Sequence, residues 1–142
     1  MARAASRARV IYCLSTFANR SLETVAAAGR GTRWFQLYVL RDRARTGDLV
    51  ARAAAAGYRA LVVTVDLPVA GYREREFREP LPSQGELGNV GDLGGADFLE
   101  GIGGEVDPTL DWDDLAWLRS LSDLPLVVKG LLDPADAARA VE

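Results

Sequence analysis

The chain has 142 residues, of which 49% are hydrophobic, and this length and composition predict one soluble globular domain with a packed core. A net charge of −3 and a pI near 5.1 exclude the basic surface that a nucleic-acid-binding protein needs. No apolar run is long enough for a membrane span, and the N-terminus lacks the apolar core of a signal peptide, so we expect a cytoplasmic protein. The sequence contains no histidine, which is the commonest general base near neutral pH and the commonest zinc ligand.

The first half of the chain alternates short apolar runs with helix patterns. Three runs rich in branched or aromatic residues predict strands at Val10–Leu14, Arg33–Val39 and Ala60–Val65. Between the first two strands, Ser21 is placed to cap a helix over Leu22–Ala28. Between the second and third strands, a longer helix begins after Asp42 and ends at Gly57.

The pattern changes in the second half. Eight of the chain's 14 glycines lie between Gln84 and Gly104, which predicts a flexible loop at about 80–108. Asp111 then starts a helix, and the fourth strand follows at Leu126–Lys129. A last helix begins at Asp133, with a proline at its first helical position.

The alternation of strands and helices predicts an α/β fold with a parallel sheet, and right-handed crossovers bring the carboxyl ends of all strands to one edge. Four such units fit half of an eight-stranded barrel, and they fit a doubly wound sheet equally well. In both architectures the chemistry lies beyond the strand carboxyl ends. The residues to inspect there are Ser15, Thr16, Phe17, Gln36, Tyr38, Thr64, Asp66 and Lys129.

Four of these residues form a set with a common use. Gln36 and Tyr38 are two apart, so they point to the same side of their strand, and Thr64 on the neighbouring strand lies beside them. Lys129 adds a positive charge to the same edge. The set suits a ligand with a hydrogen-bonding edge and developing negative charge, a description that fits both a reduced flavin and a phosphosugar.

Two charged groups have competing interpretations. A guanidinium such as that of Arg73, at the mouth of a pocket, binds a carboxylate in a bidentate way, and the alternative is a surface ion pair with Glu74 or Glu76. Four aspartates surround a helix start, where the helix dipole favours acidic side chains, so we expect no metal site. They are Asp107, Asp111, Asp113 and Asp114.

Four motifs in order resemble the FMN-dependent 2-hydroxy acid dehydrogenases and oxidases, a family that includes glycolate oxidase, lactate oxidase and monooxygenase, and mandelate dehydrogenase. The motifs are Leu14–Glu23, Trp34–Tyr38 with Arg41–Arg43, Thr64–Arg73 and Leu124–Gly130. The resemblance covers nearly all of residues 1–142 outside the loop. It implies a TIM (β/α)8 barrel, of which this chain supplies about strands two to five with their helices.

The resemblance also implies FMN as the cofactor and assigns roles to individual positions. Residues that match flavin-binding positions are Ser15, Gln36, Thr64 and Lys129, the last beside the N1–O2 edge of the ring. Residues that match positions at the substrate are Phe17, Tyr38 and Arg73, of which Tyr38 and Arg73 are the catalytic ones. The implied reaction oxidises a small (S)-2-hydroxy acid such as lactate to the 2-oxo acid, with oxygen, a quinone or a cytochrome as electron acceptor. Full-length members of the family are expected to be homo-oligomers.

Some family features have no counterpart in the sequence. The histidine of a Ser-x-His-Gly-x-Arg motif, which takes the hydroxyl proton, would lie beyond Glu142, as would the phosphate site. We therefore expect the chain to be inactive alone. One alternative is a non-catalytic barrel remnant that binds no flavin, and another is a barrel aldolase in which Lys129 forms a Schiff base.

Overall fold

The computed structural model describes residues 1–68, 74, 78, 87–91 and 103–142. Its four strands are β1 (Tyr12–Ser15), β2 (Arg33–Leu37), β3 (Leu61–Thr64) and β4 (Leu126–Lys129). Its helices of six or more residues are α1 (Ala2–Ala8), α2 (Leu22–Ala27), α3 (Arg43–Ala55), α4 (Trp112–Leu121) and α5 (Pro134–Arg139). No helix among the described residues is both long and apolar enough to span a membrane.

The four strands form one parallel sheet in the order β1-β2-β3-β4. Each strand therefore neighbours the next strand along the chain, and the order never reverses. A doubly wound sheet starts in its middle and reverses its order within the first four strands, as in 3-2-1-4-5-6 or 2-1-3-4-5, whereas a barrel adds strands in sequence. The strand order thus separates the two architectures that the sequence pattern left open, in favour of the barrel.

The first three strands are shorter than predicted and β4 has the predicted bounds; local contacts explain two of the differences. Arg9 ends α1 in the left-handed conformation, with φ 57°, so that Val10 and Ile11 stay exposed before the chain joins the sheet. At the end of β2, the backbone N–H of Tyr38 donates to the hydroxyl of Thr16 and not to a neighbouring strand.

The two faces of the sheet differ. One face packs against the helices and carries the core, which includes Leu14, Phe35, Leu37, Leu61 and Val63 from the strands and Leu22, Leu49 and Val50 from the helices. Side chains alternate along a strand, so the residues between these point to the opposite face. Toward the amino ends of the strands, that face carries Cys13, Trp34, Val62 and Val127, and at the carboxyl ends it carries polar residues. Cys13 is exposed, and Val127 is 37% exposed. The helices described leave this second face, called the open face below, exposed at its β1 and β4 edges, whereas Val62 and Thr64 at its centre are buried.

Parts of the predicted flexible loop are packed. Leu87 and Asn89 are buried, and so is Val106, which forms an isolated bridge with Leu40. Residues 87–91 and 105–107 of the predicted loop at about 80–108 therefore make buried or partly buried contacts in the structure, while the flexibility of the loop stays a prediction. One of its glycines serves close packing: a Cβ on Gly88 would lie 2.3 Å from the carbonyl carbon of Arg20.

The aspartates near α4 are engaged with the protein itself. Asp111 caps the helix and forms a reciprocal capping box with Asp114. Arg43 of α3 contacts Asp107 at 2.7 Å and Asp114 at 2.8 Å, and its guanidinium lies over the ring of Trp117. Hydrogen bonds from Thr109 lower the pKa of Asp107. Within the described ranges, no group of three potential ligands is arranged to hold a metal ion.

A pair of glycine substitutions tests the packing of residues 87–91. Gly88→Ala should lower the free energy of unfolding by about 2 kcal/mol, since its Cβ meets backbone atoms that cannot rotate away. Gly47→Ala is the control within α3, where nothing lies within 4 Å of the added Cβ; it should raise stability by about 0.5–1 kcal/mol. Urea denaturation measures both, and equal midpoints for the two variants would contradict the packing described.

A second prediction concerns the ion pair between α2 and α3. Two hydrogen bonds from Arg52, at 2.7 and 3.2 Å, hold the pKa of Glu23 at about 2, below its ordinary value of 4.5. Because the folded-state pKa is lowered, the stabilisation is present above about pH 4.5 and is lost as the pH falls toward 2. The carboxylate is half-exposed, so we expect at most about 1 kcal/mol.

The measurement is urea unfolding of the native chain and Glu23→Gln between pH 7 and pH 2.5. The difference between the two proteins should be largest at neutral pH and should shrink at the acidic end. In an Arg52→Met background the same substitution should have little effect at any pH. A difference that is constant across the pH range would contradict the assignment.

Candidate active site

A row of polar side chains crosses the carboxyl ends of the four strands. The sheet register pairs Ser15 with Gln36 and Thr64 with Lys129, and paired residues of parallel strands point to the same face. Gln36 pairs with Val62, two residues before Thr64, so all four polar residues lie on the open face. The structure thus brings together all four predicted cofactor-binding residues. Neighbouring strands lie about 4.8 Å apart, so the row is roughly 14 Å long.

The centre of the row is a hydrogen bond between β2 and β3. The amide nitrogen of Gln36 donates to the hydroxyl of Thr64 at 3.0 Å. Thr64 is 4% exposed, and it lies above Val62, which is also buried. This contact orients the Gln36 amide with its nitrogen toward β3. At the middle of the row, Gln36 is therefore the donor and Thr64 the acceptor.

Lys129 ends the row and has an acidic partner. Its ammonium lies 3.1 Å from each carboxylate oxygen of Asp66, and both side chains are about half-exposed. The following residue, Gly130, makes this approach possible. It has φ 112°, and a Cβ on it would lie 2.6 Å from the Asp66 Cβ. Any residue other than glycine at position 130 would push Asp66 away. The sequence Lys129-Gly130 therefore allows the Lys129 ammonium to lie beside the Asp66 carboxylate.

An aromatic pair lies at the opposite end of the row. The rings of Phe17 and Tyr38 stack with their centroids 5.3 Å apart and an interplanar angle of 24°. The backbone N–H of Phe17 donates to the hydroxyl of Ser15 at 3.1 Å. The structure therefore brings the two described residues predicted at the substrate next to the polar row. Arg73, the third residue of that group, lies outside the described residues.

Thr16 supports this arrangement from the core side. It is fully buried, because alternation along the strand directs it away from Ser15. Its hydroxyl donates to the carbonyl oxygen of Gln36 at 2.7 Å and accepts from the backbone N–H of Tyr38 at 3.1 Å. Sequence reasoning placed Thr16 at the strand end but gave it no role. The alternation of side chains along a strand could have indicated this role, because it directs one of the two adjacent hydroxyl residues, Ser15 and Thr16, into the core.

Asn89 is a second residue that sequence reasoning missed. It is 8% exposed, and its side chain contacts the backbone of Ser15, Thr16 and Leu22. It comes from the glycine-rich region that the sequence pattern marked as a loop, some 70 residues away along the chain. No local pattern indicates such a contact, because it depends on how that segment returns to the sheet.

Chemically, the row offers hydroxyl, amide and ammonium groups on an open face, with an aromatic pair at one end. Hydroxyl and amide groups both donate and accept hydrogen bonds, and the ammonium only donates. Such a strip matches the edge of a flat heterocycle that carries alternating donors and acceptors and becomes negative at one end. The structure supports this ligand class through the spacing and the common face of the four side chains.

Comparison with known proteins gives a consistent result. The family model described as FMN-dependent dehydrogenase matches residues 1–142. Among curated relatives, L-lactate oxidase from Nostoc sp. is 46% identical over 156 residues, covering 99% of this chain and 43% of the relative. Glycolate oxidase from Spinacia oleracea is 42% identical over 151 residues, with 99% and 41% covered.

A solved structure agrees with these sequence relatives. The crystal structure of mandelate oxidase with (S)-4-hydroxymandelic acid superposes with a TM-score of 0.89 at 41% identity, covering 99% of this chain and 42% of that one. The predicted fold class is thereby confirmed as α/β, a partial (β/α)8 barrel. The chain spans about two fifths of the length of the relatives it matches.

The role of Thr16 leads to a stability prediction. Thr16→Val keeps the shape of the side chain but leaves the Tyr38 N–H without its acceptor and the Gln36 carbonyl without one donor. We expect the free energy of unfolding to fall by about 1–3 kcal/mol. Thr16→Ser keeps the hydroxyl and serves as the control, with a smaller loss from the missing methyl group. Urea denaturation measures the free energy of unfolding of both variants. A larger decrease in Thr16→Ser than in Thr16→Val would contradict the hydrogen-bonding role.

Proposed function

The chain belongs to the FMN-dependent dehydrogenase family, and from this premise we propose that it supplies the flavin-facing strand ends of an enzyme that oxidises an (S)-2-hydroxy acid to the 2-oxo acid. FMN is the cofactor of the family. The observation that carries the proposal is the row of four polar side chains on one open face, joined at its centre by the hydrogen bond between Gln36 and Thr64.

The residues of the row suit the edge of the isoalloxazine ring. Ser15 and Thr64 offer hydroxyl groups, and Gln36 offers an amide, which together serve ring carbonyls and ring N–H groups. Lys129 offers positive charge at the β4 end of the row, where the N1–O2 edge would lie. FMN, when bound, supplies the two-electron acceptor for the reaction. The protein's part is to hold the ring and to balance the charge that its reduction creates.

The aromatic pair forms the proposed substrate side. We propose that the Tyr38 hydroxyl hydrogen-bonds the substrate and that the ring of Phe17 forms an apolar wall beside the substrate's side chain; the stacking of the two rings next to the polar row supports this. Arg73 is proposed from the sequence to bind the substrate carboxylate with its planar guanidinium. Small 2-hydroxy acids such as lactate are the proposed substrates, supported by the names of the relatives. Oxygen, a quinone or a cytochrome is the proposed acceptor class.

We further propose that the chain alone does not turn over. Abstraction of the hydroxyl proton needs a base with a pKa near the working pH, and the sequence contains no histidine. Flavin binding and turnover are therefore separate questions for this chain. A binding experiment tests the proposal without relying on activity.

Lys129 makes such an experiment possible because it is the only lysine of the sequence. A reagent that acetylates amines can react at Lys129 and at the N-terminal amine, and mass spectrometry of the peptides resolves the two sites. FMN should protect Lys129 by mass action, about tenfold at a free concentration of ten times Kd. The N-terminal amine is the internal control and should react at an unchanged rate.

A second flavin and a variant of the protein sharpen the test. Riboflavin should also protect Lys129, since the proposed contacts are to the ring and not to the phosphate. Gln36→Leu keeps the bulk of the side chain without its amide, and it should weaken protection by both flavins. Absence of protection at any flavin concentration would favour the remnant that binds no flavin. Borohydride trapping of a 2-oxo acid on Lys129 would instead favour the aldolase interpretation.

A further inference from the structure

We propose that Asn89 is a positioning residue for the substrate side of this site. Its buried amide holds the turn at residues 16–21, between β1 and α2, in the conformation that stacks Phe17 on Tyr38. The chemical meaning of this role rests on the proposed function, whereas the placement of the turn follows from the contacts of Asn89 itself.

The side chain of Asn89 joins the two ends of the turn. At the beginning of the turn, its amide nitrogen donates to the carbonyl oxygens of Ser15 and Thr16, each at 3.2 Å. At the end of the turn, its amide oxygen accepts from the backbone N–H of Leu22 at 2.8 Å. One planar group therefore fixes the distance across the turn; its hydrogen bonds to Leu22 and Thr16 are buried, and the one to Ser15 is partly buried.

The Leu22 contact explains why an amide is suited to this position. Leu22 is the first residue of α2, and N–H groups in the first turn of a helix have no partner within the helix. The Ser21 hydroxyl serves the N–H of Thr24, and the Asn89 oxygen serves that of Leu22. A carboxylate could accept from Leu22, but it could not donate to the two carbonyls and would place negative charge against them.

The backbone next to Asn89 also contacts the turn. Gly88 donates its N–H to the carbonyl oxygen of Ala18 at 2.9 Å. Gly88 also lies so close to the Arg20–Ser21 peptide that a side chain would collide with it. The segment Leu87–Gly91, called the template below, thus packs against the turn at residues 16–21. The Asn89 amide makes the polar contacts at both ends of that turn.

Phe17 depends on this template more than its neighbours do. Ser15 is held by the sheet register, and Thr16 by its bonds to Gln36 and Tyr38. Phe17 lies beyond the strand, and its backbone N–H contacts only the flexible hydroxyl of Ser15 among the hydrogen bonds described. Loss of the Asn89 amide should therefore displace Phe17 from Tyr38 while the polar row stays in place.

Other residues hold the template in position without using the amide, which provides a matched control. Arg45 donates to the carbonyl oxygen of Val90 at 2.8 Å, and Arg52 donates to that of Asn89 at 3.2 Å. Arg45→Met loosens the same segment but leaves every hydrogen bond of the Asn89 side chain available. A general effect of a loosened segment would appear in both variants, and a positioning effect only in Asn89→Asp.

The experiment uses ¹⁹F NMR of the full chain labelled with 3-fluorotyrosine. The sequence has four tyrosines, and Tyr38→Phe assigns the Tyr38 resonance by its disappearance. Phe17→Leu defines the shift that follows from loss of the stacked ring. We expect Asn89→Asp to move the Tyr38 resonance most of the way toward its position in Phe17→Leu, and Arg45→Met to leave it at the native position.

The outcomes separate the two levels of inference. A Tyr38 resonance that stays native in Asn89→Asp, or that moves equally in Arg45→Met, overturns the positioning role. If Asn89→Asp does not fold, Asn89→Ala lacks the carboxylate repulsion and is judged by the same criterion. The flavin concentration that protects Lys129 should change by less than about twofold in Asn89→Asp, because the polar row stays in place. A twofold change in affinity corresponds to roughly 0.4 kcal/mol. If flavin fails to protect native Lys129, the proposed function fails, while the ¹⁹F result still decides the role of Asn89.

Discussion

The buried hydroxyl of Thr16 is the contact on which the geometry of the site depends. It accepts from the Tyr38 N–H and donates to the Gln36 carbonyl, so it joins the end of β1 to β2 at the place where the sheet hydrogen bonds stop. Gln36 in turn contacts Thr64 on β3. A buried polar group costs free energy unless it is hydrogen-bonded, so the pairing of this hydroxyl is both a requirement of folding and the means of holding the strand ends together.

The same alternation of side chains divides the sheet into a structural face and a chemical face. Leu14, Phe35 and Val63 point into the core under the helices, while their neighbours Ser15, Gln36 and Thr64 point to the open face. Strands of parallel sheets are usually covered on both faces, and here the second face starts apolar, ends polar and is exposed only at its β1 and β4 edges. The inside of a barrel has this character: a filled base and a polar rim at the carboxyl ends.

Much of this arrangement could be predicted from the sequence, because it depends on local patterns. Apolar runs and caps such as Ser21 and Asp111 located the strands and helices, and the strand-end rule located Gln36, Thr64 and Lys129. The order of strands in the sheet could not be predicted from periodicity, since neighbours are chosen by tertiary packing. Asn89 could not be predicted either, because its three partners lie about 70 residues away and it stands in a glycine-rich segment with no helix or strand pattern.

The ion pair between Lys129 and Asp66 shows why a residue's position at a strand end does not by itself describe its chemistry. An ammonium has three donors, and the two contacts with Asp66 leave one donor for a ligand within the part of the chain that the structure describes. The carboxylate therefore orients the lysine without consuming its capacity to bind. Gly130 permits this by letting the chain turn closely around the acid. A ligand edge that gains negative charge would be attracted by the ammonium and repelled by Asp66, so the two charges together set the electrostatic field at this end of the row.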